Sequence, residues 1–202
     1  MVTATAGLQR VRLLSSDDAA RVDSRTIGGK GAGLVRLAEL GARVPAWVVL
    51  PVPAFRAQLS AAHLEDDVDR LLADLGSSSA RGAHVSAASA ALRGIVAALT
   101  LDDLRDALAD VRTLGGGVFA VRSSAVGEDG NAHSFAGQFD TVLNVAEHAL
   151  ADAVRTCWSS AFSERALDYR LRSGTLHETL DLAVIVQRMI GGDASGVLFT
   201  MT

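Results

Sequence analysis

The sequence predicts an α/β (α+β) domain in which helices flank a mixed sheet and a helical insert interrupts it, and two patterns point to this class. Short apolar runs bounded by glycine and proline, such as 47–52, predict buried strands. Longer segments with apolar residues at helical spacing alternate with these runs, as at 147–172. With 202 residues, of which 49% are apolar and 21% charged, the chain can bury a full core and is not disordered.

The first half of the chain contains the insert and one glycine-rich segment. Residues 1–26 are polar and irregular, and we interpret them as an N-terminal extension that precedes a domain over 27–202. The pattern after residue 26 predicts, in order, a glycine-rich loop at 28–33, a short helix that stops at Gly41, a strand at 47–52, a helix at 53–62 and the helical insert at about 64–113.

The second half predicts further strands around one long polar loop. The pattern indicates strands at 118–122, 140–145, 183–190 and 197–200, a polar loop at 123–138 and one long amphipathic helix at 147–172. A loop of that length inside a compact domain is usually functional. We therefore expect part of a binding site in this half.

Composition argues against several classes of function. The formal net charge is -4, which lacks the basic balance expected of a nucleic-acid binder. No apolar run approaches the roughly 18–20 residues of a membrane helix, and the N-terminus does not have the pattern of a signal peptide. The single cysteine, Cys157, cannot form an internal disulfide or a thiolate metal cluster. We expect a cytoplasmic protein without nucleic-acid or membrane partners.

Lys30 is the only lysine among the 19 Lys and Arg residues, and it lies inside the glycine-rich segment 28–33. Small residues there let backbone N–H groups approach an anion, and a lysine adds a mobile positive charge. The order of residues is neither that of a P-loop nor that of a dinucleotide-binding loop. A flexible turn without a ligand, and a surface lysine retained by chance, stay open as alternatives.

Two further segments could take part in binding. Arg122 ends a predicted strand and can fork onto phosphate oxygens, or it can pair with Glu128 or Asp129 at the surface. Gln187 and Met189 end another strand, where backbone groups could read an adenine edge and the methionine could pack on the base. An ordinary amphipathic strand end would also explain this second pattern.

Four blocks of the sequence, taken together, resemble the nucleotide-binding domain of the pyruvate phosphate dikinase and phosphoenolpyruvate synthase family. The resemblance covers about residues 25 to 202, with its blocks in the order and spacing of the family. Rifampicin phosphotransferases and glucan water dikinases share this domain, so the resemblance does not name a phosphoryl acceptor. The blocks are Ile27-Gly28-Gly29-Lys30-Gly31 with Val44-Pro45-Ala46-Trp47, Val121-Arg122-Ser123-Ser124-Ala125 with Ser134-Phe135-Ala136-Gly137-Gln138, Cys157-Trp158-Ser159-Ser160, and Val186-Gln187-Arg188-Met189 with Gly196-Val197-Leu198-Phe199-Thr200.

The resemblance implies the first part of an ATP-grasp fold, in which ATP lies between two α/β lobes. It also implies that ATP phosphorylates a histidine on a separate swivelling domain. Arg122 would have a catalytic role, because it would stabilise charge as the phosphoryl group leaves. By motif position the ATP-binding residues are Lys30 and Arg122 at the phosphates, Gly137 and Thr141 along the phosphate side, and Gln187 and Met189 near the base and sugar.

The same resemblance indicates parts that this sequence lacks. Nothing here matches the carrier-histidine segment, or the second lobe that holds the acidic Mg²⁺ ligands, so we expect no metal site in this chain. Those parts would belong to a longer enzyme or to separate chains. The expected function is the ATP-binding part of a phosphotransferase that turns over ATP poorly when alone. A stand-alone, non-catalytic module for nucleotide binding or partner docking, and a fragment of a rifampicin-type antibiotic phosphotransferase, remain as alternatives.

Overall fold

The computed structural model describes residues 12–77, 81–126, 139–177 and 180–192. The described strands form one five-stranded open sheet in the order β1-β2-β5-β3-β4, and every pairing among them is antiparallel. The prediction of an α/β fold with helices flanking a sheet is confirmed. The strands are β1 Leu14–Ser15, β2 Trp47–Leu50, β3 Val118–Ala125, β4 Thr141–Ala146 and β5 Leu182–Arg188.

Eight helices surround this sheet in the part of the chain that the structure describes. Pro53 begins α3, as expected, because proline has no backbone N–H that would lack a partner in the first turn of a helix. Gly174 ends α8 in a left-handed conformation with φ of 73°. Short 3₁₀ turns cover 110–114 and 147–149. The helices are α1 Ser16–Ala19, α2 Ser24–Glu39, α3 Pro53–Ala61, α4 Glu65–Ser77, α5 Arg81–Ala98, α6 Asp102–Ala109, α7 Leu150–Ser160 and α8 Glu164–Ser173.

The sheet buries its two faces differently. Alternate residues of a strand point to opposite faces, so Val184 and Val186 of β5 join the large core that the helices from α3 to α8 supply. Phe55 packs on Trp158 in that core, with ring centroids 5.2 Å apart. Burying each such large apolar side chain stabilises the fold by about 1.5–3 kcal/mol. The opposite face, which carries Ile185, packs against α1 and α2, and we call it the α2 face.

The predicted single helix over 147–172 is wrong, because the chain turns between α7 and α8. Ser163 has extended backbone angles, and its side chain accepts a hydrogen bond from the N–H of Ala166 at 3.3 Å. That contact caps a new helix. Ala161 and Phe162 are fully buried in the turn, so the apolar pattern continues although the helix does not.

The predicted glycine-rich loop at 28–33 is also wrong, since these residues lie inside α2. The helix begins after Asp23, whose side chain accepts from the N–H of Arg25 at 2.7 Å, and it bends at Gly28. The polar segment before it, predicted to be irregular, includes β1 and α1 from residue 14 onward. The predicted loop at 123–138 begins later than expected, because β3 continues to Ala125.

Two further observations complete the fold. The strand predicted at 197–200 and the loop residues 127–138 lie outside the described residues. Within the described ranges, no single helix is long and apolar enough to cross a membrane. The helical segments 82–98 and 102–114 reach that length and hydropathy only when they are counted together, and the chain bends between them. Apolar side chains of this pair belong to the large core.

Candidate functional site

Three of the predicted site residues project from neighbouring strands on the α2 face. Arg122 of β3 lies opposite Thr141 of β4 on one side and Ile185 of β5 on the other. Residues directly opposite in an antiparallel pair share a face, and Gln187 lies two positions beyond Ile185 on that face. Arg122 is half-buried, Thr141 is exposed and Gln187 is buried. The fold therefore brings Arg122, Thr141 and Gln187 together.

The Arg122 side chain is held loosely. Its Nη1 donates to Oε1 of Gln187 at 3.5 Å, and Nε2 of Gln187 donates to the carbonyl oxygen of Pro45 at the same distance. Both distances are at the long limit for a hydrogen bond. Gln187 therefore orients the guanidinium and leaves it able to form shorter, bidentate bonds with an anion.

Lys30 brings a second cation to the same strand. It lies in α2, half-buried, and its Nζ donates to the carbonyl oxygen of Ser123 at 3.0 Å. Ser123 follows Arg122 in β3, so the ammonium lies beside the backbone of the residue next to the guanidinium. Two positive groups gathered at one strand attract an anionic ligand.

Ser124 holds α2 against this strand, a role that the sequence reasoning missed. Its side-chain oxygen donates to the carbonyl of Ile27 at 2.8 Å and accepts from the N–H of Gly31 at 3.1 Å. The available signal for this role was a hydroxyl residue in a buried strand that also carries a candidate anion ligand. Its partners could not be inferred, because they lie more than 90 residues earlier in the chain.

Met189 marks the other end of the site. Its N–H donates to the carbonyl of Val118 at 2.9 Å, and its sulfur accepts from the N–H of Asn144 at 3.1 Å. Asn144 has a positive φ of 57° in β4. Val118 and Arg122 are four positions apart in β3, which corresponds to about 13 Å along the strand. Val118 and Leu143 are 42% and 57% exposed, so this end presents accessible apolar surface.

The site is thus elongated, with cations at one end and apolar groups with a thioether at the other. Gly137, the remaining predicted site residue, lies outside the described residues. In the described part of the chain, no group of three or more His, Cys, Asp or Glu side chains could hold a metal ion.

Two other features of the molecule lie apart from these residues. A cavity of about 570 Å³ between α3 and α4 is lined mainly by apolar side chains, and it includes none of the predicted site residues. Cys157 is fully buried beneath β3, with its sulfur 3.6 Å from the carbonyl oxygen of Val121. Burial raises the pKa of this thiol to about 12, which makes it a structural and unreactive cysteine.

The fold and the site define a mixed α/β domain whose open sheet face, beside a kinked helix, is suited to an extended anionic ligand. Comparison with known proteins makes this specific. Residues 24–202 match the family model described as pyruvate phosphate dikinase, AMP/ATP-binding domain, and the chain belongs to that family. The family resemblance inferred from the sequence motifs is confirmed, and the chain is an ATP-binding domain of this type.

The relatives carry two different enzyme names, rifampicin phosphotransferase and phosphoenolpyruvate synthase. The chain is 41% identical over 181 residues to a rifampicin phosphotransferase of a Streptomyces species, covering 86% of this chain and 20% of the relative. It is 35% identical over 191 residues to a probable phosphoenolpyruvate synthase of Archaeoglobus fulgidus, covering 91% and 25%. It is 34% identical over 203 residues to a phosphoenolpyruvate synthase of Aeropyrum pernix, covering 96% and 25%. The chain therefore spans about a fifth to a quarter of these relatives.

Proposed function

We propose that this chain is the ATP-binding part of a dikinase-type phosphotransferase of the ATP-grasp class, which uses ATP to phosphorylate a carrier histidine on another domain or chain. The observation that supports this most directly is the pair of cations at β3, where Lys30 reaches the residue that follows Arg122. The proposal includes a second ATP-grasp lobe as partner and a cytoplasmic location.

The elongated site suits the shape of ATP. The triphosphate would lie at the end with Lys30 and Arg122, and the base at the end with Met189. Thr141 lies opposite Arg122 in the adjacent strand, so its exposed hydroxyl could donate to a phosphate oxygen. Gln187 lies between the two ends and would contact the nucleotide near its sugar. For Gly137 the proposal rests on the family motif alone.

The chemistry assigned to these residues is electrostatic. Phosphoryl transfer spreads negative charge over the equatorial oxygens, and catalysis depends on positioning and on charge stabilisation. Arg122 can form bidentate bonds to those oxygens, while Lys30 supplies a compact charge. When bound, Mg²⁺ would supply further neutralisation of the phosphate charge. As the family resemblance implies, the proposal places its protein ligands in the second lobe.

The acceptor has two candidates. Pyruvate is favoured by the names of the phosphoenolpyruvate synthase relatives, and an antibiotic of the rifampicin type by the name of the Streptomyces relative. The residues of the site contact the donor nucleotide in this proposal, so they do not distinguish between acceptors. A stand-alone nucleotide-binding module without catalysis is an alternative to the phosphotransferase function as a whole.

A coupled assay of ATP consumption tests the proposal. The purified chain is assayed alone, then with the second lobe and carrier domain of a phosphoenolpyruvate synthase relative, with pyruvate or rifampicin as acceptor. We expect little turnover by the chain alone, and Mg²⁺-dependent conversion of ATP when the missing parts are supplied. Binding of ATP with no transfer in any combination would favour the non-catalytic module. Robust turnover by the chain alone would contradict the assignment of missing parts.

A further inference from the structure

The bend in α2 is built around one serine of β3. In a continuous α-helix the N–H of Gly31 would donate to the carbonyl of Ile27, four residues earlier. Here the side-chain oxygen of Ser124 bonds to both groups, at 3.1 Å and 2.8 Å. Ser124 and Ile27 are buried, at 0% and 2% exposure. A side chain inserted into the ladder of helical hydrogen bonds is a recognised cause of a kink.

Gly28 makes this insertion possible. Its φ of 72° and ψ of 175° belong to a region that essentially only glycine adopts. A Cβ at this position would lie 2.1 Å from the carbonyl oxygen of Ser124 and 2.5 Å from its side-chain oxygen. The backbone of α2 therefore approaches β3 more closely than a residue with a side chain would allow at this position.

Lys30 lies in α2 between Ile27 and Gly31, the two residues that are bonded to Ser124, and its side chain reaches β3. Its neighbour Gly31 is bonded to the Ser124 side chain, and its own ammonium is bonded to the carbonyl of Ser123. The direction in which Lys30 leaves the helix is thus set by the Ser124 contacts. Without the Ser124 hydroxyl, the N–H of Gly31 and the carbonyl of Ile27 would lose these partners, and the kink that directs Lys30 would no longer be held.

We propose that Ser124 is a positioning residue for Lys30: its hydroxyl holds the kink of α2 open and thereby aims the lysine at the anion site beside Arg122. This inference rests on the proposed function for the identity of the anion as an ATP phosphate. The positioning itself is independent of that identity, and it can be measured without nucleotide.

The single lysine makes the measurement specific. Reductive methylation with ¹³C-formaldehyde labels Lys30 and, apart from it, only the terminal amine. Its methyl resonance reports the surroundings of the ammonium, and amide exchange at Gly31 reports the bond to Ser124. For Ser124→Ala we expect a shifted methyl resonance, exchange at Gly31 faster by about tenfold or more, and ATP affinity weaker by about tenfold, as for the loss of buried hydrogen bonds.

A matched control separates positioning from stability. Ser89 is also buried, at 3% exposure, and its hydroxyl donates to the carbonyl of Phe162 at 2.7 Å in the helical layer. Ser89→Ala should lower the melting temperature and leave the Lys30 resonance, the Gly31 exchange rate and the ATP affinity unchanged. In a Lys30→Ala background, Ser124→Ala should cause no further loss of ATP affinity.

The outcomes decide between the proposals. An unchanged Lys30 resonance and Gly31 exchange in Ser124→Ala, or an additive loss of ATP affinity in the Lys30→Ala background, overturns the role of Ser124. If the wild-type chain bound no ATP, the proposed function would fail, while the resonance and the exchange rate would still decide the positioning. Should Ser124→Ala fail to fold, Ser124→Cys keeps the side-chain size, weakens its hydrogen bonds and gives the same two readouts.

Discussion

The ammonium nitrogen of Lys30 lies 3.0 Å from the carbonyl oxygen of Ser123, the residue that follows Arg122 in β3. This contact joins the glycine-rich helix to the central sheet at the point where the second candidate phosphate ligand projects. A carbonyl oxygen is a modest partner for an ammonium group, and a phosphate oxygen forms a stronger, charge-assisted bond. In the proposed function, a phosphate oxygen of ATP would be a further partner of this ammonium group.

Replacement of Lys30 by arginine tests whether the ammonium group itself is needed. Lys30→Arg keeps the charge, but the planar guanidinium is larger and must fit a half-buried position. We expect ATP affinity to fall by about three- to tenfold, measured by calorimetric titration. Arg36→Lys is the control, because Arg36 lies further along the same helix and is exposed, so this substitution should leave ATP affinity unchanged. Equal affinity for Lys30→Arg and wild type would mean that any cation suffices.

Two glycines of α2 should respond to alanine in opposite ways. Gly28→Ala places a Cβ against Ser124 in a conformation that only glycine adopts, so we expect a loss of about 1–3 kcal/mol or more in the free energy of unfolding. At Gly33 a Cβ would have no atom within 4 Å, and Gly33→Ala should stabilise the chain by about 0.5–1 kcal/mol. Urea unfolding without nucleotide measures both. Tolerance of alanine at position 28 would contradict the described kink.

Arg122 should matter for nucleotide and not for folding. Arg122→Ala removes a guanidinium that is held by a long bond to Gln187, so the melting temperature should change little. ATP affinity should fall by roughly ten- to a hundredfold, as expected for hydrogen bonds to a charged group. Arg105→Ala provides the comparison, since that arginine is 58% exposed in a surface pair with Asp102. A similar effect of both variants would remove Arg122 from the proposed site.

Cys157 should make stability depend on pH at the alkaline end. Burial raises the pKa of its thiol from the ordinary value of 9.0 to about 12, so the folded chain keeps a proton that the unfolded chain releases. This stabilisation is complete below pH 9 and is lost as the pH rises through about 12. Urea midpoints between about pH 8 and pH 10.5 should therefore change differently in wild type and in Cys157→Ala. The sign follows from the proton count: the unfolded chain binds fewer protons in this range, so the stability of wild type falls more steeply. An equal fall would mean that the thiol is not the titrating group.

The sheet and much of the candidate site follow from local pattern. Apolar runs bounded by glycine and proline predicted the strands that became β2 and β3, because a buried strand needs continuous apolar residues and a defined end. Arg122 and Gln187 were recognised from motifs on different strands, and antiparallel register brings them onto one face. Register depends on pairing between distant strands, so their contact could not be predicted from either segment alone.

The kink of α2 and the break before α8 were not predicted, for different reasons. The glycines at 28–33 suggested a loop. In the structure the helix continues through its bend, because the Ser124 hydroxyl bonds to backbone groups on both sides of the bend. That bond joins residues far apart in sequence and leaves no periodic signal. Ser163 before Glu164 did carry a helix-start signal, but the apolar spacing through the turn masked it.

Equilibrium titration of the chain with ATP tests the central claim most directly. Calorimetry up to about 1 mM nucleotide detects affinities in the range expected for an isolated binding domain. We predict saturable binding by the wild-type chain, with affinity reduced at least about tenfold in Lys30→Ala while the fold remains intact. An absence of binding at that concentration, or an affinity unchanged by Lys30→Ala, would contradict the assignment of Lys30 to an ATP site.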